Sequence, residues 1–187
     1  MDCDCGYEGH SRELHMAVGH MARIEYQYCP GCAAGLVSGY IDGRTRRYCT
    51  NCGFVRYENP LPVVVAVAVK EGRFVLIKRG IPPKKGYWGC ASGFVECGET
   101  PEEACLRELE EEAGVRGEIR RLLRVVRLED TELYGDMLVV TYLVEVVEGD
   151  PTPGEEADAA AYFSPGEIPS YLRHVFTDVI DELRPRP

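Results

Sequence analysis

The 187-residue chain contains no run of 18 or more apolar residues, so its sequence offers no membrane-spanning helix. Its first residues lack the apolar segment of a secretory signal and carry Asp2, Asp4 and Glu8 instead. A cytoplasmic location is therefore expected. There is no internal repeat and no low-complexity stretch. Positive charge is scarce: 21 Lys and Arg face 31 Asp and Glu, for a net charge of -10. That balance argues against non-specific binding of nucleic acid. It does not exclude a phosphorylated substrate, because a divalent cation bridges carboxylates and phosphates. With 45% hydrophobic and 28% charged residues, the chain can bury a sizeable core. It is thus neither a disulfide-dependent miniprotein nor a low-hydrophobicity disordered chain.

Nine cysteines are present, an odd number with no export signal beside them, which favours metal sites and buried thiols over a disulfide framework. Cys29-Pro-Gly-Cys32 and Cys49-Thr-Asn-Cys52 are separated by 16 residues. Two such pairs read as one tetrahedral zinc site, structural because four thiolates close the coordination shell. Ala33–Tyr48 between them suits a hairpin, and Gly31 and Gly53 are expected at tight turns near the sulfurs. Cys90, Cys97 and Cys105 read as small core residues. Cys3, Cys5, His10, His15 and His20 fall in a polar leader, residues 1–27, whose spacing fits no strong metal template.

Beyond the cysteine module (28–58) and an Asn59-Pro60-Leu61-Pro62 linker, residues 62–184 read as the main domain. The β-branched run Val63–Val69 is a buried strand, Lys70–Arg73 a turn and Phe74–Ile77 the returning strand. Leu122–Leu128, Met137–Val147 and Ala160–Phe163 are further strands. A C-terminal helix aligns Leu172, Val175, Phe176, Val179, Ile180 and Leu183. Hairpins interleaved with helices predict an α/β chain of the mixed-sheet, α+β kind, with helices packed on the sheet.

The clearest helix starts at Thr100 as N-cap, with Pro101 at the first position, Glu103 completing a capping box and Gly114 as terminator. Cys105, Leu106, Leu109 and Ala113 form its apolar stripe. Glu108, Glu111 and Glu112, spaced i, i+3, i+4, converge beside it. Acids in the last turn oppose the helix dipole and repel one another. A hard divalent cation relieves that repulsion, and Arg107, four residues before Glu111, is placed to orient it.

From Gly93 to Val115 the segment fits G-x5-E-x7-R-E-U-x-E-E-x-G-U at every specified position, through Gly93, Glu99, Arg107, Glu108, Leu109, Glu111, Glu112, Gly114 and Val115. This resembles the box of the Nudix hydrolases. The resemblance implies a Nudix α/β/α sandwich and hydrolysis, dependent on Mg²⁺ or Mn²⁺, of a nucleoside diphosphate linked to another moiety. It implies that Glu108, Glu111 and Glu112 are metal ligands, that the Gly93 carbonyl adds one, and that Arg107 and Glu99 brace the loop and helix. The general base in the family is either the glutamate at Glu108 or one on a later loop, where Glu155 and Glu156 are the candidates. Lys78, Arg79, Lys84 and Lys85 are candidates to meet substrate phosphates, with solvated loop charges as the alternative; Trp88 and Tyr87 are candidates to stack on a base, with packing as the alternative.

The cysteine module resembles the zinc ribbon of the NADH pyrophosphatase-like and FAD/ADP-ribose pyrophosphatase-like branches, through Tyr28-Cys-Pro-Gly-Cys32, Cys49-Thr-Asn-Cys-Gly53 and Tyr57-Glu-Asn-Pro60. The S-Q-P-W-P-F-P-x-S signature of NADH pyrophosphatases is absent after the box. FAD, ADP-ribose or a similar dinucleotide is therefore the expected substrate. The alternatives are an NADH pyrophosphatase without its signature, or a non-catalytic module that senses a nucleotide and regulates a partner. Many relatives dimerise, so a homodimer is expected.

Overall fold

The computed structural model describes residues 26–130 and 134–183. The leader cysteines and histidines lie outside the described residues. The chain divides into two compact units: Met1–Leu61 with Glu129–Met137, and Pro62–Leu128 with Leu138–Pro187.

The first unit holds the hairpin β1 (Val37–Ile41) and β2 (Arg44–Tyr48). Ile41 pairs with Arg44, so Asp42-Gly43 forms a two-residue turn. Both turn residues have positive φ, 49° and 77°, the geometry that matches the twist of paired strands. Cys29, Leu36 and Cys49 form a small core here, with Ala34 and Phe54 against it.

The second unit is built on one sheet. Its strands are β3 (Leu61–Lys70), β4 (Arg73–Arg79), β5 (Trp88–Gly89), β6 (Ala91–Phe94), β7 (Arg116–Asp130), β8 (Gly135–Glu148) and β9 (Ala157–Phe163). The main order is β5-β4-β3-β8-β7, with β6 on β3 and β9 on β4. β3 and β4 pair at Val69↔Phe74 and Lys70↔Arg73, around Glu71-Gly72 with φ of 50° and 73°. Further along, Val63 to Ala66 of β3 pair with Phe94 to Ala91 of β6, while β4 pairs with β9 from Phe74 to Arg79.

Side chains alternate across this sheet, so each strand feeds two cores. Val64, Ala66, Ala68, Val75 and Ile77 face helix α1 (Pro101–Ala113), where they meet Ala104, Cys105, Leu109 and Ala113. Val67, Val69, Phe74 and Leu76 face the other way, toward Ile168 and Phe176 and Val179 of α2 (Arg173–Leu183). A sheet with a helix on each face is the expected sandwich. The strands run longer than their apolar runs suggest. β7 spans Arg116–Asp130 and β8 spans Gly135–Glu148, because strand pairing continues past the buried stretch. Among the described residues, no helix is long and apolar enough to cross a membrane.

Candidate active site and cysteine centre

Helix α1 carries the box, and its ends are fixed. The Thr100 hydroxyl accepts from the Glu103 N–H at 3.2 Å, and the Glu103 carboxylate accepts from the Thr100 N–H at 2.7 Å. Gly114 closes the helix in the left-handed region at φ 66°. The chain from Asp150 then returns over this end. The Thr152 N–H donates to the Ala113 carbonyl at 2.8 Å and the Gly154 N–H to the Glu112 carbonyl at 3.1 Å. These donors satisfy carbonyls the helix leaves open. A Cβ at position 154 would collide with the Glu111 carbonyl, so glycine permits the approach. Glu155 and Glu156 follow immediately.

Arg107 organises the acidic face. Its Nε and Nη2 grip both oxygens of Glu99 at 3.1 and 2.8 Å, and Nη2 also donates to the Phe94 carbonyl at 3.0 Å. Its Nη1 donates to Glu108 at 2.7 Å and to Glu111 at 3.0 Å. The loop itself adds a donor to this brace, since the Glu96 N–H donates to Glu99 at 2.7 Å. Arg107 first, and then that N–H, hold the Glu99 carboxyl below its usual range. The loop between β6 and α1 is thus tied to the helix by a two-pronged, charge-assisted bond.

Gly93, on β6 opposite Val64, lies directly against the Glu108 carboxylate; a Cβ there would overlap it. Burial pushes the Glu108 carboxyl up, against the opposing pull of Arg107. Glu112 accepts from the Ser92 N–H at 2.7 Å. Burial raises its pKa to about 7, partly offset by the Ser92 N–H. The charge of Glu108 also raises it, that of Arg79 lowers it and that of Glu156 raises it. Four sequence candidates therefore share one electrostatic neighbourhood. The Gly80 N–H, next to Arg79, donates to the Glu156 carbonyl at 2.7 Å, which fastens the two segments together.

Two candidates behave differently. Lys85 is exposed, and among the described residues no hydrogen bond or ion pair holds it. Trp88 is committed to packing: its ring meets Phe163 edge-on at 4.8 Å within the α2-side core. The exposed aromatics nearby are Tyr87 and Tyr171, 56% and 46% exposed, edge-on at 5.6 Å. The Tyr171 hydroxyl accepts the Trp88 N–H at 3.0 Å. Tyr171, the Ser92 amide and Gly154 were not singled out in the sequence, because only the fold brings them to this region.

The donors on α1 are carboxylate oxygens, the set that hard divalent cations prefer. Burial disfavours the charged forms of two of them, Glu108 and Glu112, a cost that a bound cation would offset. Arg107 draws Glu108 and Glu111 to itself while Ser92 holds Glu112. Accordingly, among the described residues, the one group of three or more potential ligands within 4.8 Å is Cys29, Cys32, Cys49 and Cys52.

In that cysteine group, Cys29 and Cys52 sulfurs are 3.5 Å apart, as are Cys32 and Cys49. Tetrahedral zinc with bonds of about 2.3 Å separates its sulfurs by about 3.8 Å, so the four fit one ion. Hydrogen bonds from the Asn51 side chain and the Ala34 backbone lower the Cys32 thiol to about 6, toward the thiolate a metal needs. Gly31 lies in the first turn close to the sulfurs, its N–H donating to Cys29 Sγ at 3.4 Å. The left-handed residues are Ala33 (φ 59°) and Gly53 (φ 77°), each just after the second cysteine of its pair.

Comparison with known proteins agrees with this geometry. The NUDIX domain family model matches residues 59–183. An ADP-ribose pyrophosphatase from Methanocaldococcus jannaschii is 34% identical over 60% of this chain and 67% of its own length. An NAD-capped RNA hydrolase from Chromobacterium violaceum is 30% identical over 77% of this chain and 52% of its own, so this chain spans about half the length of that relative. A crystal structure of a NUDIX hydrolase from Nitrosomonas europaea superimposes with a TM-score of 0.73 at 26% identity, covering 84% of this chain and 92% of that one. With the box complete and its side chains gathered on one sheet edge and one helix, the chain belongs to the Nudix hydrolase family.

Proposed function

We propose that the protein hydrolyses the pyrophosphate bond of a nucleoside diphosphate linked to a second moiety, with ADP-ribose, FAD or an NAD-like dinucleotide as the substrate class. The observation that carries this reading is the carboxylate face of α1, where Arg107 holds Glu99, Glu108 and Glu111 while Glu112 lies within the electrostatic reach of Glu108, Arg79 and Glu156. The names of the M. jannaschii and C. violaceum relatives support the substrate class.

Glu108, Glu111 and Glu112, with the Gly93 carbonyl, would hold Mg²⁺ or Mn²⁺. Such an ion supplies charge neutralisation of the diphosphate and acidifies the attacking water. Arg107 keeps Glu108 and Glu111 on the face they share. Arg79 brings a fixed positive charge to Glu112 and to an incoming phosphate. Glu156 is the exposed carboxylate on the neighbouring loop, suited to accept the proton of the attacking water; Glu108 is the alternative base. The cysteine set would hold one structural zinc.

The test is a screen of ADP-ribose, FAD, NADH and dinucleoside polyphosphates at equal Mg²⁺. The reading expects cleavage between the two phosphorus atoms for at least one of them. Tight binding without any turnover would instead identify a nucleotide-sensing module.

A further inference from the structure

We propose a second anion site, on the cysteine-bearing unit, that binds the phosphodiester backbone of single-stranded nucleic acid. The whole chain is strongly acidic at -10, yet residues 26–61 carry four arginines, no lysine and only two acids. All four arginines, Arg44, Arg46, Arg47 and Arg56, line one cavity of about 410 Å³ within this unit. Two carboxylates share the lining: Glu58, which pairs with Arg56 at 3.2 Å, and Asp136 from the Glu129–Met137 segment. The guanidinium groups therefore outnumber the acids two to one, and the cavity has room for a phosphate with its sugar.

Two of these arginines lie over aromatic rings. The Arg56 guanidinium lies 3.8 Å from the centre of the Tyr26 ring, and that of Arg46 lies 4.5 Å from the Tyr57 ring. Tyr57 is itself fixed by its hydroxyl, which donates to Asp42 at 2.8 Å. A guanidinium stacked on a ring keeps its N–H edges outward, loses little further freedom on binding and presents a fork that matches phosphate oxygens. Hairpin β1–β2 fixes the remaining spacing, since Ile41 pairs with Arg44 and Gly39 with Arg46.

The same segment holds five of the chain's eleven tyrosines. Tyr40 and Tyr28 are 79% and 67% exposed, far more than their apolar rings favour without a partner. Arginines for phosphate interleaved with open rings for bases are the two components of sequence-tolerant single-strand binding. This favours a nucleic-acid strand over a small polyphosphate, which has no base to stack. The overall negative charge still disfavours unguided binding elsewhere on the molecule.

The test uses the full, zinc-loaded chain and fluorescence anisotropy with a labelled ten-nucleotide oligouridylate, an oligothymidylate of equal length and unlabelled tripolyphosphate as competitor. Salt-dependent binding of the oligonucleotides is expected. The double variant Arg44→Gln/Arg46→Gln should bind at least tenfold more weakly at low salt. The slope of log affinity against log salt should fall in magnitude by about 1.4, two phosphate contacts at about 0.7 each. Tyr40→Ala should weaken binding several-fold with the slope unchanged. Zinc content and hydrolytic rate on a free dinucleotide should stay at wild-type values in both variants, which separates this site from the hydrolytic one. Wild-type affinity in the arginine variant, or competition by tripolyphosphate as effective per molecule as the oligonucleotide, overturns the proposal. Failure of Tyr40→Ala to alter affinity removes the stacking component and overturns it equally.

Discussion

Glu112 is where the electrostatics of the proposed site converge. It sits in the last turn of α1, where the dipole already opposes a carboxylate, and it is buried beside Glu108. Its pKa of about 7 is the result. Divalent-ion binding requires the carboxylate, so Mg²⁺ affinity should weaken by about tenfold for each pH unit below about 7. Isothermal titration between pH 5.5 and 8 measures this, and Glu112→Gln should flatten the profile. A raised carboxyl also favours the folded state at acid pH. In the metal-free protein that contribution is complete below the ordinary value of 4.5 and is lost as pH rises through about 7. Gly93 matters for a steric reason. Gly93→Ala should displace the Glu108 carboxylate, lowering kcat with little loss of Tm, as steady-state kinetics and a thermal melt would show. The box glycine, the arginine and the glutamates were all legible in the sequence. The Ser92 amide that aims Glu112 was not, because it arrives from a strand 20 residues away through the β3–β6 pairing.

Among the elements, α1 and the loop across its C-terminus act as one piece. The helix was readable from end to end: capping box, Pro101, apolar stripe and Gly114 all fell where local sequence rules put them. Thr100→Ala should cost about 1 kcal/mol of stability, measurable by urea denaturation. The return of Thr152–Gly154 over the helix end was not readable, because its hydrogen bonds join segments about 40 residues apart in sequence. A methyl at 154 would meet the Glu111 carbonyl and the Glu112 Cα, both backbone that cannot easily move aside. Gly154→Ala should therefore destabilise the protein by roughly 1–3 kcal/mol and slow turnover by shifting Glu156. Equal Tm and rate in that variant would argue that the loop does not position the site. Sequence also underestimated the β7–β8 hairpin. Its ends carry Arg116, Gly117, Glu118, Arg120 and Arg121 on β7 and Gly135 and Asp136 on β8, too few apolar residues to alternate, so the period-2 signal fades there although the strands continue.

At the scale of the whole molecule, each unit carries its own core, and the two differ in what maintains them. Residues 62–128 with 138–183 bury two apolar clusters on either side of the sheet. Among the described residues, the buried cluster of the cysteine unit is Cys29, Leu36 and Cys49, a small core that the cross-link of a bound metal would reinforce. A zinc-selective chelator should therefore release one zinc per chain, and amide signals of 28–58 should collapse while those of β3, β4 and α1 persist. The net charge of -10 proved a poor guide to local chemistry. It averages a glutamate-rich helix face, suited to a cation, with an arginine-lined hairpin. The central claim is Mg²⁺-dependent pyrophosphate hydrolysis at the α1 carboxylates. Its most direct measurement is the initial rate on the best dinucleotide in the screen, with Mg²⁺ supplied or omitted, for wild type and Glu112→Gln. The account predicts that omitting Mg²⁺ or replacing Glu112 lowers the rate by roughly a hundred- to thousandfold with the fold retained. A folded Glu112→Gln variant turning over at a near-normal rate would contradict it.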